Sequence, residues 1–183
     1  QECTKVSNVT IIQDISDIDK RLLDFDLKIE RQKGYRISGD SVSKRRFLAI
    51  LLTNCISVAD FSTGNFGIFD ILEADRTRLA SQIVNKQLLG FPDIDARMKM
   101  FFAILLSLIG QEQNIENLPN TSKQALEISQ KIFQAYSKQT EQFYSIQEII
   151  YFASILDELI IRRQENPLFT EKFDGEFFYN ISN

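Results

Sequence analysis

The run Phe91 to Gly110, FPDIDARMKMFFAILLSLIG, decides the fold. Its second half, Met100 to Ile109, is apolar on nearly every side of a helix, the pattern of a helix surrounded by others. That apolar part is about ten residues, far short of the ~20 needed to cross a bilayer, so it predicts a buried core helix. Pro92 stands where a first-turn proline belongs, Asp93 and Asp95 suit the positive end of the helix dipole, and Gly110 closes the element. A central helix over 92–110 is expected.

The neighbouring segments read as one-sided helices that pack around it. Before it, Leu72, Leu79, Ile83 and Leu88 form a stripe, opened by Asp70 with Glu73 and ended at Gly90. After it, Thr121 with Gln124 opens a helix burying Ala125, Ile128, Ile132 and Ala135/Tyr136. Ser145 with Glu148 opens another that buries Ile149, Phe152/Ala153, Leu156 and Ile160 and stops at Asn166-Pro167. Near the start, Ile11, Ile15, Ile18, Leu22, Phe25 and Ile29 alternate steps of four and three, which predicts one helix with a narrow seam. Gly34 to Ser43 reads as a connection, and the next helix runs to about Ala59 over Phe47, Leu51, Cys55 and Val58. In the tail, Asp174-Gly175 between aromatic residues signals a short C-terminal β-hairpin. With only 7 Gly and 3 Pro, most of them between the periodic runs, the fold class is all-α: one domain, 1–183, of about six helices.

Composition narrows function by exclusion. The chain has no histidine, which removes the usual general base, the commonest metal ligand and every Ser-His or Cys-His pairing. No calcium-loop pattern is present, and two distant cysteines do not make a zinc site. No catalytic residue, metal site or cofactor is therefore expected. Carboxylate chemistry is the one enzymatic route left, with Asp157-Glu158 beside an apolar stripe as the acidic pair whose burial would bear on it. The formal net charge of -4 argues against a general nucleic-acid or polybasic membrane binder.

Two groups of residues stand out as candidates for binding a partner. Phe61, Phe66 and Phe69 lie in DFSTGNFGIF, a glycine-flanked turn, either as an aromatic patch or folded back on the bundle. Lys44, Arg45 and Arg46 crowd a helix start, where the dipole disfavours cations unless an anion or acidic partner relieves them. Cys3 and Cys55 are a candidate disulfide in an exported protein, whereas in a reducing compartment both stay thiols. The leading functional expectation is a non-enzymatic protein-interaction module, extracellular or periplasmic, of inhibitor, immunity or signalling type. Its partner is another protein or a second copy joined through the 11–29 helix, with no nucleic acid and no membrane span. Two alternatives stand beside it: a carrier of a small apolar ligand in a helix-lined cavity, and a carboxylate-dependent enzyme. A cytoplasmic location is the alternative to export.

Overall fold

The computed structural model describes residues 8–66, 71–91, 94–110, 115 and 118–161. Those residues form seven α-helices and one two-stranded antiparallel sheet. The helical class is as expected; a hairpin spans residues 28–38, and the C-terminal hairpin expected in the tail lies outside the described residues. The chain divides into two compact units, Gln1–Leu48 and Ala49–Asn183.

In the second unit the helices are α3 (Val58–Thr63), α4 (Ala74–Gln87), α5 (Ala96–Ser107), α6 (Lys123–Thr140) and α7 (Ile146–Leu156), the last running into a π-helical turn, Asp157–Ile161. The anticipated central helix is α5, and every residue from Met100 to Ser107 is buried. It starts later than expected. Asp95 is extended, and its carboxylate accepts the Met98 N–H at 2.7 Å, so the cap belongs to Asp95; Pro92 and Asp93 lie outside the described residues. In the same way α6 is capped by Ser122, whose hydroxyl accepts from Ala125 N–H at 3.2 Å, one residue later than the expected Thr121. Ser145 caps α7 as its spacing predicted, accepting from Glu148 N–H.

Aromatic rings tie this unit together. Phe102 on α5 meets Phe152 on α7 at 5.4 Å, Phe152 meets Phe133 on α6 at 5.4 Å, and Phe133 meets Tyr144 at 5.4 Å. The last two pairs are edge-to-face and the first is tilted, and aromatic pairs of this kind each add roughly 0.5–1.5 kcal/mol beyond their burial. Tyr144 in turn stacks on Tyr136, whose hydroxyl accepts from Arg76 Nε at 2.9 Å. Arg76 also donates to the carbonyl of Ile109, so one guanidinium on α4 joins α6 to the residues just past α5. Burial pushes the Tyr136 phenol up to about 12, although the Arg76 charge pulls the other way.

The first unit is smaller and less buried. Its first helix, α1 (Asn8–Leu22), is followed by a 3-10 turn (Leu23–Phe25), strands β1 (Lys28–Arg31) and β2 (Tyr35–Ser38), and α2 (Ser41–Cys55), within which the division between units falls. The expected helix through Ile29 stops at Leu22. Asp26 turns into the left-handed region (φ 56°), Leu27 N–H bonds back to the Leu22 carbonyl at 3.0 Å, and Ile29 enters a strand. The narrow seam dissolves with it: Leu22 is fully buried, but Ile18 is 41% exposed.

Gly39 and Asp40 join β2 to α2, and each residue type is required there. Gly39 has φ +139°, and a Cβ on it would lie 2.4 Å from Leu27 Cδ2 and 3.0 Å from the Asp26 carbonyl oxygen. Asp40 caps α2, its carboxylate accepting from Val42 N–H at 2.9 Å and Ser43 N–H at 2.8 Å. Burial works to raise this carboxyl, but the hydrogen bonds from Ser43 and Val42 outweigh it and leave it below its ordinary value of 3.8.

Two outcomes follow for stability. Gly39→Ala should destabilise the first unit by roughly 2–4 kcal/mol, combining a strained φ with the clash, whereas Gly90→Ala, with nothing within 4 Å, should change little in the same denaturation assay. Asp40→Ala should cost about 1 kcal/mol at neutral pH. Because the folded carboxyl titrates lower than the unfolded one, that advantage is full above 3.8 and is lost as the pH falls through the folded value, so wild-type and variant denaturation curves should draw together in acid.

Candidate functional site

The β1–β2 hairpin with α1 beside it is largely exposed and rich in charge. The strand register pairs Lys28 with Ser38, Ile29 with Ile37, Glu30 with Arg36, and Arg31 with Tyr35. That leaves a three-residue loop, Gln32-Lys33-Gly34, closed by a bond from Gln32 N–H to the Gly34 carbonyl at 2.9 Å. Lys33 (φ 42°) and Gly34 (φ 137°) take the positive φ that such a loop needs. The alternation of strand side chains then places Ile29, Arg31, Tyr35 and Ile37 on one face and Lys28, Glu30, Arg36 and Ser38 on the other.

Charge is concentrated here. Between residues 28 and 38 stand four basic residues, Lys28, Arg31, Lys33 and Arg36, against one acidic, Glu30, on a chain whose formal net charge is -4. All four basic residues are exposed. Lys28 bonds Glu30 at 3.1 Å, and this bond first, then Ser38 and the nearby Arg36 charge, holds the Glu30 carboxyl below its usual range. At the tip, Arg31 and Lys33 enter no ion pair among the described residues; Arg31 instead lies 5.9 Å from the centre of the Tyr35 ring. The result is a narrow ribbon ending in cations.

On α1, helical spacing puts Gln13, Ser16, Asp17 and Lys20 on a face turned away from buried Leu22, and all four are exposed. Asp17 is held by Lys20 at 2.9 Å and by Gln13 at 3.2 Å, and these bonds, Lys20 first, lower its carboxyl. The carboxylate of Asp19, on the side of the helix toward β1, accepts the backbone N–H of Ile29 at 2.5 Å. The array sets exposed cations and hydrogen-bonding side chains along a narrow ribbon and one helix face.

The residues singled out from sequence are placed differently. Phe61 and Phe66 are buried, at 9% and 8% exposure, with their rings 5.7 Å apart; Phe69 lies outside the described residues. Arg45 is buried and Lys44 and Arg46 are half-buried, within the first turns of α2. At the same helix start the Asp40 carboxylate accepts from the backbone N–H groups of Val42 and Ser43. Cys55 is a free, exposed thiol, and Cys3 lies outside the described residues. Asp157, whose burial bore on the carboxylate route, is buried, and its carboxylate accepts from Ser122 N–H at 3.1 Å, tying the exit of α7 to the start of α6. Among the described residues no group of three or more His, Cys, Asp or Glu side chains could hold a metal ion, and no helix is long and apolar enough to cross a membrane.

Sequence reasoning missed the hairpin. The signal was present in KIERQKGYRIS: a glycine between two runs that alternate apolar or aromatic residues with charged ones, Ile29/Arg31 and Tyr35/Ile37. It was obscured because Ile29 also continues the helical spacing of the preceding segment.

Over all 183 residues the chain is 56% identical to a protein of Streptococcus mutans serotype c named "Putative transcriptional regulator MtlR". It spans 28% of that protein's length. No family model matches the chain, and no solved structure does. A relative this similar, named for regulating transcription, overturns the expectation of an exported protein-interaction module. It likewise overturns the extracellular or periplasmic location, and the partner set of another protein or a second copy through the 11–29 helix with nucleic acid excluded. Net charge, on which nucleic acid was excluded, averages a basic ribbon into an acidic chain.

Proposed function

We propose that this chain is part of a regulator of transcription that acts on duplex DNA, and that the β1–β2 hairpin with the exposed face of α1 makes the DNA contact. The observation that carries this reading is the hairpin's charge: four exposed basic side chains against one acidic on a chain of net charge -4. The name of the 56%-identical relative agrees with it. Such a protein works inside the cell, where its DNA is.

The physics of the contact follows from the shapes available. The major groove admits an α-helix or a two-stranded ribbon, and both are present here. Phosphate contacts fix register and supply most of the affinity, while base edges carry the sequence information. The tip cations Arg31 and Lys33, with Arg36 on the opposite ribbon face, suit phosphates. Gln13 and Ser16 on α1 suit base edges, since an amide side chain reads adenine in two bonds. Asp17 on the same face does not repel the backbone outright, because Lys20 neutralises it.

The test is salt dependence. Each phosphate neutralised contributes about 0.9 to the slope of log affinity against log salt, so Arg31→Ala/Lys33→Ala/Arg36→Ala should flatten the slope by roughly 2–3 on a mixed-sequence duplex. The same triple substitution should leave the melting of the helical unit unchanged. A variant with the wild-type slope and affinity would remove the hairpin from the contact.

A further inference from the structure

We propose that Asp19 is the positioning residue of this interface: its bond to β1 sets the direction in which the hairpin leaves α1, so that ribbon and helix meet one duplex together. This rests on the DNA-contact reading above. Asp19 is half-buried on α1, ten residues before its partner, and its Oδ1 accepts the Ile29 N–H at 2.5 Å. The connection between helix and strand supplies local backbone bonds, Asp26 N–H to the Leu23 carbonyl at 3.1 Å and Leu27 N–H to the Leu22 carbonyl at 3.0 Å, and a ring contact from Phe25 to Phe47 at 5.4 Å. These bonds shape the turn. They end at Leu27, against which Gly39 packs at the other end of the hairpin, and the bond that ties α1 to β1 itself is the one from Asp19.

Asp19 is placed to make that tie. Helical geometry sets it about a quarter-turn from Lys20 and on the flank opposite Asp14, between the buried side that holds Leu22 and the exposed side that holds Ser16. Its acceptor meets an N–H at the base of the hairpin, one residue into β1 and on the tip-cation strand that continues through Glu30 to Arg31. A small rotation at that base is carried outward along the ribbon to Arg31 and Lys33. A charged acceptor on a backbone N–H is also among the stronger hydrogen bonds, stronger than the neutral pairs elsewhere in the hairpin. The carboxylate thus acts on DNA through the hairpin's direction rather than by touching it.

The experiment is a double-mutant cycle on a duplex selected from a random pool by the wild-type protein. Asp19→Ala alone should weaken binding about tenfold, the scale of losing one charge-assisted bond. In the Arg31→Ala/Lys33→Ala/Arg36→Ala background it should weaken binding by less than about twofold, because the side chains it positions are already gone. Asp19→Asn, which keeps an acceptor oxygen, should recover most of the wild-type affinity. An equal loss in both backgrounds would overturn the proposal, since it would mark a general structural role. No loss in either would overturn it as well. If Asp19→Ala does not fold, amide exchange in the wild type decides: the Ile29 amide should be protected far beyond that of Lys33 in the loop, and equal exchange rates would show that the bond is not made. The underlying reading fails separately, by the triple variant binding as wild type does.

Discussion

The constraint on which the larger unit depends is the all-round burial of α5. A helix with no polar face from Met100 to Ser107 has to be enclosed, and the sequence around it provides stripes of matching width. α4 lies along it, α3 touches it, and Phe102 carries its contacts to Phe152 on α7. From Phe152 the rings continue through Phe133 and Tyr144 to Tyr136, where Arg76 closes the circuit back to the end of α5. Two side chains of this unit join elements through polar bonds. Arg76 and Asp157 each bind backbone groups at a helix end, where unmatched carbonyls or N–H groups would otherwise be left.

The smaller unit is built on the opposite plan. Its ribbon carries charge rather than apolar bulk, and its shape is set by a few backbone requirements: a left-handed Asp26, positive φ at Lys33 and Gly34, and a glycine at 39 that lets the strand end lie against Leu27. Among the described residues the tip cations Arg31 and Lys33 enter no ion pair, while Glu30 occupies Lys28 at the base. An array with free cations at its far end and its one acid neutralised at its near end suits a polyanion better than an apolar partner. Charge distribution, not net charge, is the informative quantity for this chain.

Much of the helical unit was legible in sequence because its signals are local and repeated. Ser145 with Glu148, the stripe of α6 and the apolar run of α5 each follow from spacing alone. Cap positions moved by a residue or more, to Ser122 and Asp95, because adjacent residues of similar chemistry compete and only backbone geometry chooses between them. Burial of Asp157 could be anticipated from its place beside Leu156, but its partner, a backbone N–H from α6, could not. The hairpin was hidden by coincidence of period: Leu22, Phe25 and Ile29 satisfy a helical spacing, and nothing local announces that Asp26 leaves the helix. Phe61 and Phe66 show the same limit from the other side. Aromatic residues in a glycine-flanked turn look alike whether exposed or buried, and tertiary contact decides.

The most direct test of the DNA-contact account is a residue-by-residue map of backbone amide shifts in the protein, with and without a short mixed-sequence duplex at low salt. The account predicts that the amides that move lie at 28–38 in the hairpin, with Arg31, Lys33 and Gly34 foremost, and at 13–20 on α1. Binding that leaves those amides in place and shifts only residues of the helical unit would contradict it.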